Sequence, residues 1–267
     1  MGLAGLSHIN IELNSTCNKS VLCGFCGHQN AAIHTARRDG HMDMELIRSL
    51  AGQIPSGVVV QFHRDGDPLA YAGSLGTVGR LFSHTVSSIV THGETLWGRS
   101  HEVIGNFDVV TVSIFRGDPG RDLQLASIKR FLELKGEQSP RLIIKIVGDI
   151  SDDELQPYLA LGVPFVRRLL HLPRSNAKYA GGLPAMPEHG VCLDLLHHPS
   201  VAWDGRVFLC NRLDVDDRGL IGSLKDQSLE SIWNGPLRRA IVTAHLRGQR
   251  ADVAACSTCE YYGIPTH

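Results

Sequence analysis

The chain contains seven cysteines, and their positions divide them into two groups. The first group falls within the stretch "CNKSVLCGFC" and comprises Cys17, Cys23 and Cys26. The second group comes much later and comprises Cys192, Cys210, Cys256 and Cys259. Clustered thiols in a reducing compartment usually bind metal, so this division predicts a three-ligand site and a four-ligand site.

The two predicted sites differ in the chemistry that they allow. Three thiolates cannot saturate the four irons of a cubane cluster, so one iron stays open to an outside ligand, which indicates a catalytic site. Four thiolates leave no iron open, which favours electron transfer or structural support. Ligand type alone leaves zinc as an alternative at both sites, because zinc-binding and redox motifs also use Cys-x-x-Cys pairs.

The composition of the 267-residue chain is that of an ordinary soluble protein, with 43% hydrophobic and 20% charged residues. A formal net charge of -1 gives no general attraction to nucleic acid. No apolar run approaches the roughly 20 residues that a membrane span needs. The first residues, "MGLAGLSHIN", lack the pattern of a secretion signal, so we expect a cytoplasmic protein without a membrane association.

Short apolar strands alternate with amphipathic helices through the first two thirds of the chain. The six predicted strands are "HINIEL", "GVVVQF", "SSIVTHG", "VVTVSIF", "RLIIKIVG" and "VPFVRRLLHL". The predicted helices between them are "MDMELIRSLAGQI", "LAYAGSLGTVGRLFSH", "RDLQLASIKRFLELKG" and "SDDELQPYLALG". Continuous apolar strands alternating with helices indicate a parallel sheet covered by helices. We therefore predict an α/β fold, a partial (β/α)6 barrel, with its chemistry at the C-terminal strand ends.

A stretch rich in proline and glycine, residues 173–190, interrupts this alternation. We place a domain boundary there, with the barrel over residues 1–175 and a second domain over residues 176–267. In the second domain, "VAWDGRVFLC" predicts a β-hairpin that turns at Asp204 and Gly205. The segments "SLESIW" and "PLRRAIVTAHLRG" are predicted helices, so the second domain is a small α+β unit.

The cysteine loop after the first strand resembles that of the radical S-adenosylmethionine (radical SAM) enzymes, and Phe25 fills the aromatic position before the last cysteine. "DGDPL" after the second strand is similar to the family's Gly-Gly-Glu-Pro segment, and "THGETL" after the third looks like its Thr-Asn-Gly segment. The chain departs from the family in two ways. Five residues instead of three separate Cys17 from Cys23, and Asp65 and Asp67 replace the usual glycine and glutamate.

This resemblance implies a [4Fe–4S] cluster on the first three cysteines, with S-adenosylmethionine bound beside it. The backbone of the Gly-Gly-Glu-Pro segment meets the amino group of S-adenosylmethionine in that family, and a serine on the fourth strand often meets its ribose. The cofactor contacts implied for this chain are Phe25, Gly66, Asp67 and Ser113.

Residues 190–260 resemble the SPASM and twitch extensions of radical SAM enzymes. Gly205 followed by Cys210 reproduces their Gly-x-x-x-x-Cys element, and "LIGSLKDQSLESIW" looks like their connecting segment. A full SPASM domain has further cysteines for another cluster, and this chain has none. The resemblance therefore implies the shorter twitch form, with one auxiliary [4Fe–4S] cluster on the second group of cysteines.

Many cationic or potentially cationic residues fall near the predicted C-terminal strand ends. They are His63, Arg64, His92, Arg116, Lys145, Arg167, Arg168, His171 and Arg174. One or two would serve the carboxylate of S-adenosylmethionine, so this number predicts a substrate with a phosphate or carboxylate group. The candidate catalytic residues are Arg116, Lys145, Arg168 and His171. The alternative for any one of them is a solvated or packing role.

The predicted function is reductive cleavage of S-adenosylmethionine and hydrogen abstraction by the 5′-deoxyadenosyl radical. The predicted substrate is an anionic small molecule, amino acid, sugar or nucleotide unit, either unattached or attached to a carrier or nucleic acid. The outcome is a rearrangement, an isomerisation or an oxidation. We expect an external electron donor such as flavodoxin or ferredoxin. Two alternatives are a ribosomal-peptide maturase and a non-catalytic iron–sulfur electron carrier.

Overall fold

A computed structural model of the chain describes residues 2–19, 39–168, 191–211, 217–257 and 259. Six strands form the N-terminal part: β1 (His8–Ile11), β2 (Val59–Phe62), β3 (Val86–Thr91), β4 (Val109–Phe115), β5 (Arg141–Val147) and β6 (Phe165–Arg168). Its helices are α1 (Met44–Gln53), α2 (Leu75–Leu81), α3 (Ser100–Val103), α4 (Arg121–Lys135) and α5 (Asp152–Leu159). All six predicted strands and all four predicted helices are confirmed. The four-residue α3 was not predicted, because it is too short to show a periodic pattern.

The strands form an open sheet in the order β6-β5-β4-β3-β2-β1, and all neighbouring pairs among these six are parallel. The predicted partial barrel is thus confirmed. The register places Asn10 beside Gln61, Ser113 beside Lys145, and Val147 beside Arg168. Parallel strands present their C-terminal ends at one edge, so the loops that follow them come together there.

The two faces of the parallel sheet differ in polarity because side chains alternate along each strand. One face is apolar and fully or almost fully buried; its members include Ile9, Ile11, Val60, Phe62, Ile89, Val110, Val112, Leu142 and Ile144. This face supplies the hydrophobic core between the sheet and its helices. The opposite face, called the polar face below, carries Asn10, Gln61, Ser88, Thr111, Ser113, Lys145 and Arg168.

The C-terminal part adds three strands and three helices: α6 (Leu193–His197), β7 (Ser200–Val201), β8 (Arg206–Phe208), β9 (Leu220–Ser223), α7 (Leu229–Trp233) and α8 (Pro236–Leu246). The predicted hairpin is confirmed, since β7 and β8 are antiparallel and Gly205 turns with a φ of +88°. Strand β7 also pairs in parallel with β1, so β7, β8 and β9 extend the barrel sheet to nine strands in the described residues. The predicted domain boundary lies outside the described residues and stays a prediction.

None of the helices in the described ranges is both long and apolar enough to cross a membrane.

Candidate functional site

The segment that leads from β1 to the first cysteine packs directly against the segment that follows β2. A Cβ atom on Gly66 would lie 2.2 Å from the carbonyl oxygen of Asn14 and 2.6 Å from that of Thr16. Only glycine permits such a close backbone approach. The next residue, Asp67, donates its backbone N–H to the carbonyl oxygen of Thr16 at 2.8 Å. The segment "DGDPL" therefore supports the backbone that carries Cys17.

The side chain of Asp67 joins the ends of β2 and β3. It is 5% exposed, and its carboxylate accepts hydrogen bonds from the Thr91 hydroxyl at 2.8 Å and the His92 N–H at 2.7 Å. It also accepts the N–H of Leu69 at 2.9 Å. These bonds commit the carboxylate to the protein, so a cofactor contact by this segment would come from its backbone.

An open cavity of about 580 Å³ lies beside Cys17. Its lining includes Thr16 and Cys17 from the segment after β1, Tyr71 from the segment after β2, and Thr95 and Arg99 from the segment after β3. This volume is within the range of small-molecule sites, which is roughly 300–1,000 Å³. The cavity thus adjoins the first predicted cluster ligand, at the C-terminal strand ends.

The polar face carries two cations close together, Lys145 and Arg168. Burial, and secondly the charge of Arg168, lowers the pKa of Lys145 to about 8. Burial, and secondly the charge of Lys145, lowers the pKa of His63 to about 3. Burial and neighbouring groups, first His198, likewise lower the pKa of His8 to about 3. Both histidines are therefore neutral at physiological pH, and the positive charge of this face resides on Lys145 and Arg168.

His198, which follows α6, extends from the C-terminal part to β1. Its ring centroid lies 3.9 Å from that of His8, and its Nε2 lies 2.5 Å from Asn10 Oδ1. Its Nδ1 lies 3.5 Å from a carboxylate oxygen of Asp194. The amide nitrogen of Asn10 donates to the carbonyl oxygen of His63 at 2.8 Å, which leaves Asn10 Oδ1 to accept from His198. No sequence pattern indicated this contact, because it depends on the long-range pairing of β7 with β1.

The structure separates the other candidate cations by their surroundings. The Arg64 side chain is 3% exposed, lies 3.1 Å from Asp65 and 3.6 Å from Glu12, and packs over the Phe208 ring at 4.3 Å. These contacts fit the alternative that was left open for single cations, a packing role. Arg116 and Arg167 are exposed, and the register places Arg167 beside Ile146, on the face opposite to Lys145.

Two further predicted residues can be located. Ser113 is buried on the polar face beside Lys145. His92 is also buried, and its Nε2 lies 3.0 Å from Asn18 Oδ1. The remaining candidates lie outside the described residues, so their predicted roles stay predictions: Cys23, Phe25, Cys26, His171 and Arg174.

The four cysteines of the second group are all half-buried. Cys192 is the N-cap of α6, Cys210 follows β8, and Cys256 and Cys259 follow a short 3-10 helix at Arg250–Asp252. The structure brings Cys256 and Cys259 together in one turn, in which the N–H of Cys259 donates to the carbonyl oxygen of Cys256 at 3.2 Å.

Buried or half-buried partners hold the backbone around these cysteines. Arg250 donates to the carbonyl oxygens of Cys256 at 3.1 Å and Cys259 at 2.9 Å. The N–H of Cys192 donates to His245 Nδ1 at 3.5 Å, and the Ser200 hydroxyl donates to the Cys210 carbonyl at 2.7 Å. Within the part of the chain that is described, no three potential ligand side chains are grouped closely enough to hold a metal ion. The donor chemistry, four half-buried thiols on a hydrogen-bonded frame, still suits a four-cysteine ligand set.

Comparisons with known proteins agree with this arrangement. Residues 192–260 match the SPASM family, described as an iron–sulfur cluster-binding domain. A crystal structure of BtrN in complex with AdoMet and 2-DOIA is 17% identical, with a TM-score of 0.62; the match covers 95% of this chain and 92% of that chain. Streptococcus suis SuiB bound to S-adenosylmethionine is 13% identical, with a TM-score of 0.56; the match covers 96% of this chain and 72% of that chain.

A second structure of SuiB, bound to its precursor peptide SuiA, is 12% identical, with a TM-score of 0.57; the match covers 96% of this chain and 70% of that chain. No curated protein matches the chain.

The fold and the match together define a class: an open parallel α/β barrel whose sheet continues into a region that resembles the SPASM iron–sulfur cluster-binding domain. The predicted resemblance to radical SAM enzymes with a SPASM or twitch extension is confirmed by the SPASM match and by the shared fold.

Proposed function

We propose that the protein is a radical SAM enzyme that binds S-adenosylmethionine and two [4Fe–4S] clusters. Cys17, Cys23 and Cys26 would hold the first cluster, and the second group of cysteines would hold the auxiliary one. When bound, the reduced cluster would supply one electron to S-adenosylmethionine, whose cleavage would release methionine and provide the 5′-deoxyadenosyl radical for abstraction of a hydrogen atom from the substrate. The close packing of Gly66 on the backbone before Cys17 supports this assignment, because it joins the two segments on which the proposed cofactor contacts depend.

The substrate proposed for this enzyme carries an anionic group that binds between Lys145 and Arg168. The observation that carries the proposal is the proximity of two cations on the polar face: Lys145 and Arg168 lie on adjacent strands, and burial and the charge of Arg168 lower the pKa of Lys145. A partly buried cation is costly unless an anion compensates it. A phosphate or carboxylate of the substrate would provide that compensation.

The remainder of the polar face favours a small, hydroxylated molecule. Gln61, Thr111 and Ser113 supply amide and hydroxyl groups on the same face as Lys145. Such groups donate and accept hydrogen bonds without charge, which suits the hydroxyls of a sugar or nucleotide unit. The residues of the chain would thus bind and orient the substrate. An external one-electron donor, such as flavodoxin or ferredoxin, would reduce the first cluster.

Arginine variants on β6 test the anionic-substrate proposal with a matched control. Arg168 lies on the polar face, whereas its neighbour Arg167 is exposed on the opposite face. Loss of a charge-assisted contact costs about 1.5–3 kcal/mol, or roughly ten- to a hundredfold in affinity. Arg168→Met should weaken substrate binding by that factor and spare uncoupled cleavage of S-adenosylmethionine, whereas Arg167→Met should change neither. Equal, wild-type binding of an anionic substrate by both variants would contradict the proposal.

Peptide maturation is the second candidate, because a structure of SuiB with its precursor peptide SuiA shares the fold. Anaerobic assays of 5′-deoxyadenosine formation separate the two candidates. Stimulation by small phosphorylated or carboxylated sugars supports the first, and stimulation by a precursor peptide alone supports the second. A reduced protein that makes no 5′-deoxyadenosine under any condition would instead be an electron carrier.

A further inference from the structure

Lys19, in the unusually long spacer between Cys17 and Cys23, forms a buried ion-pair cluster. Its side chain is 1% exposed, and its Nζ lies 2.5 Å from Glu94 Oε1 and 2.9 Å from Asp118 Oδ1. Burial disfavours the charged amine, but the hydrogen bonds to Glu94 and Asp118 outweigh it and raise the pKa of Lys19. We call this group of three residues the Lys19 clamp.

The residue before Lys19 is also held. The Asn18 side-chain nitrogen donates to the Thr95 hydroxyl at 3.3 Å, and its Oδ1 lies 3.0 Å from His92 Nε2. Both contacts are with the segment after β3, which also provides Glu94. The first two residues of the spacer are thus bound to the same part of the sheet edge.

The clamp also restricts a residue after β4. The carboxylate of Asp118 accepts the N–H of Gly120 at 2.9 Å. A Cβ atom on Gly120 would lie 1.9 Å from Glu94 Oε1 and 2.9 Å from Lys19 Nζ. A side chain at position 120 would therefore require the paired ends of Glu94 and Lys19 to shift, and glycine leaves them room.

We propose that the Lys19 clamp positions Cys17, and with it the first cluster, relative to the ends of β3 and β4. The inference rests on the proposed function and extends it to residues outside the proposed cofactor and substrate contacts. The spacer has five residues instead of the family's usual three, and additional length in a loop adds conformational freedom. Two buried carboxylates on different strand ends remove that freedom two residues after the first cysteine. A shift of about 1 Å in such an arrangement is enough to lower a reaction rate a hundredfold.

The deciding variant removes the clamp without leaving a buried charge. Lys19→Met alone would leave Glu94 and Asp118 buried without a countercharge, which destabilises a fold. The combination of Lys19→Met, Glu94→Gln and Asp118→Asn is neutral throughout and keeps the side-chain sizes. Arg121→Gln is the matched control, because Arg121 pairs with Glu154 at 3.0 Å near the same end of β4 but outside the clamp.

The measurements use the full chain, reconstituted anaerobically with iron and sulfide. We expect the triple variant to keep the wild-type melting temperature and the auxiliary-cluster signal. The electron paramagnetic resonance spectrum of its first cluster should respond heterogeneously to S-adenosylmethionine, and the Kd for S-adenosylmethionine should be at least tenfold weaker. The Arg121→Gln control should stay close to wild type in both measurements.

Two results would overturn the inference: a triple variant with wild-type spectra and affinity, or one that fails to fold, since the clamp would then be a general packing element. A first cluster that does not respond to S-adenosylmethionine in the wild-type protein would instead overturn the proposed function, whatever the variants do.

Discussion

Lys145 links the polarity of one sheet face to the chemistry proposed for it. Its amine loses its proton near pH 8 in the ligand-free protein, because burial and Arg168 lower its pKa. A charged amine binds an anion better than a neutral one does. We therefore expect substrate affinity to fall as the pH rises through 8, and substrate binding to be accompanied by proton uptake near that pH. Calorimetric titrations in buffers of different ionisation enthalpy measure both effects.

Replacing Lys145 by methionine separates the effect of this residue on substrate binding from its effect on stability. Because folding lowers the pKa of Lys145, the folded state holds this proton less tightly than the unfolded state, which costs stability at pH values below 8. The free energy of unfolding should then rise as the pH increases from the pKa of Lys145 in the folded state, about 8, to its higher pKa in the unfolded state. Lys145→Met should abolish the pH dependence of substrate binding and melt no lower than wild type at neutral pH. A large drop in its melting temperature would mean that Lys145 is chiefly a packing residue.

The sequence identified the candidate cations but could not sort them. Cationic residues at strand ends can be read from the sequence, whereas the face that each one occupies depends on where its strand begins and how it pairs. Arg167 and Arg168 are adjacent in sequence and lie on opposite faces. Lys19 was missed for a related reason: lysine is rarely buried, and both of its partners are remote in sequence.

At the scale of elements, the turn that carries Cys256 and Cys259 depends on Arg250. Its guanidinium donates to both cysteine carbonyls, so Arg250→Gln removes a charge and at least one hydrogen bond. Hydrogen bonds from charged groups contribute about 1.5–3 kcal/mol each. We expect fewer irons retained at the auxiliary site and, where the cluster remains, a more negative reduction potential, because a nearby cation favours the reduced cluster. Iron analysis and redox titration measure these effects.

Arg247→Gln provides the control for this element, because Arg247 is an exposed residue directly after α8. It should leave iron content and potential unchanged. An Arg250→Gln protein with wild-type iron content and potential would show that the turn holds its cysteines without the arginine.

Local elements were predicted well because their signals are local. The hairpin turn at Gly205, with its positive φ, and the end of α4 at Gly136 both follow from single residues. The pairing of β7 with β1 could not be predicted, because nearly 190 residues separate Asn10 from its partner Ser200. That pairing brings His198 to the polar face, so the sequence also missed this part of the site.

On the scale of the whole molecule, one sheet connects the two cysteine groups. Strand β1 leads to Cys17, and β7 and β8 beside it lead to Cys210. Arg64 packs over Phe208 of the hairpin, and the backbone N–H of Trp203 donates to the Glu12 carboxylate, so side-chain contacts also join the barrel and the hairpin. The sequence shows that the cysteines fall into two groups. That both groups are attached to one continuous sheet could be learned only from the structure.

The two cysteine groups on this sheet lead to a prediction about metal content. Three and four cysteine ligands correspond to two [4Fe–4S] clusters, or about eight irons per reconstituted chain. Replacing Cys17, Cys23 and Cys26 together by alanine should leave one cluster and abolish cleavage of S-adenosylmethionine, because only the first cluster would have an open iron. Replacing the four later cysteines should also leave one cluster, but the remaining cluster should still respond to S-adenosylmethionine. Stoichiometric zinc together with a single iron cluster in the wild-type protein would show that the C-terminal cysteines form a zinc site.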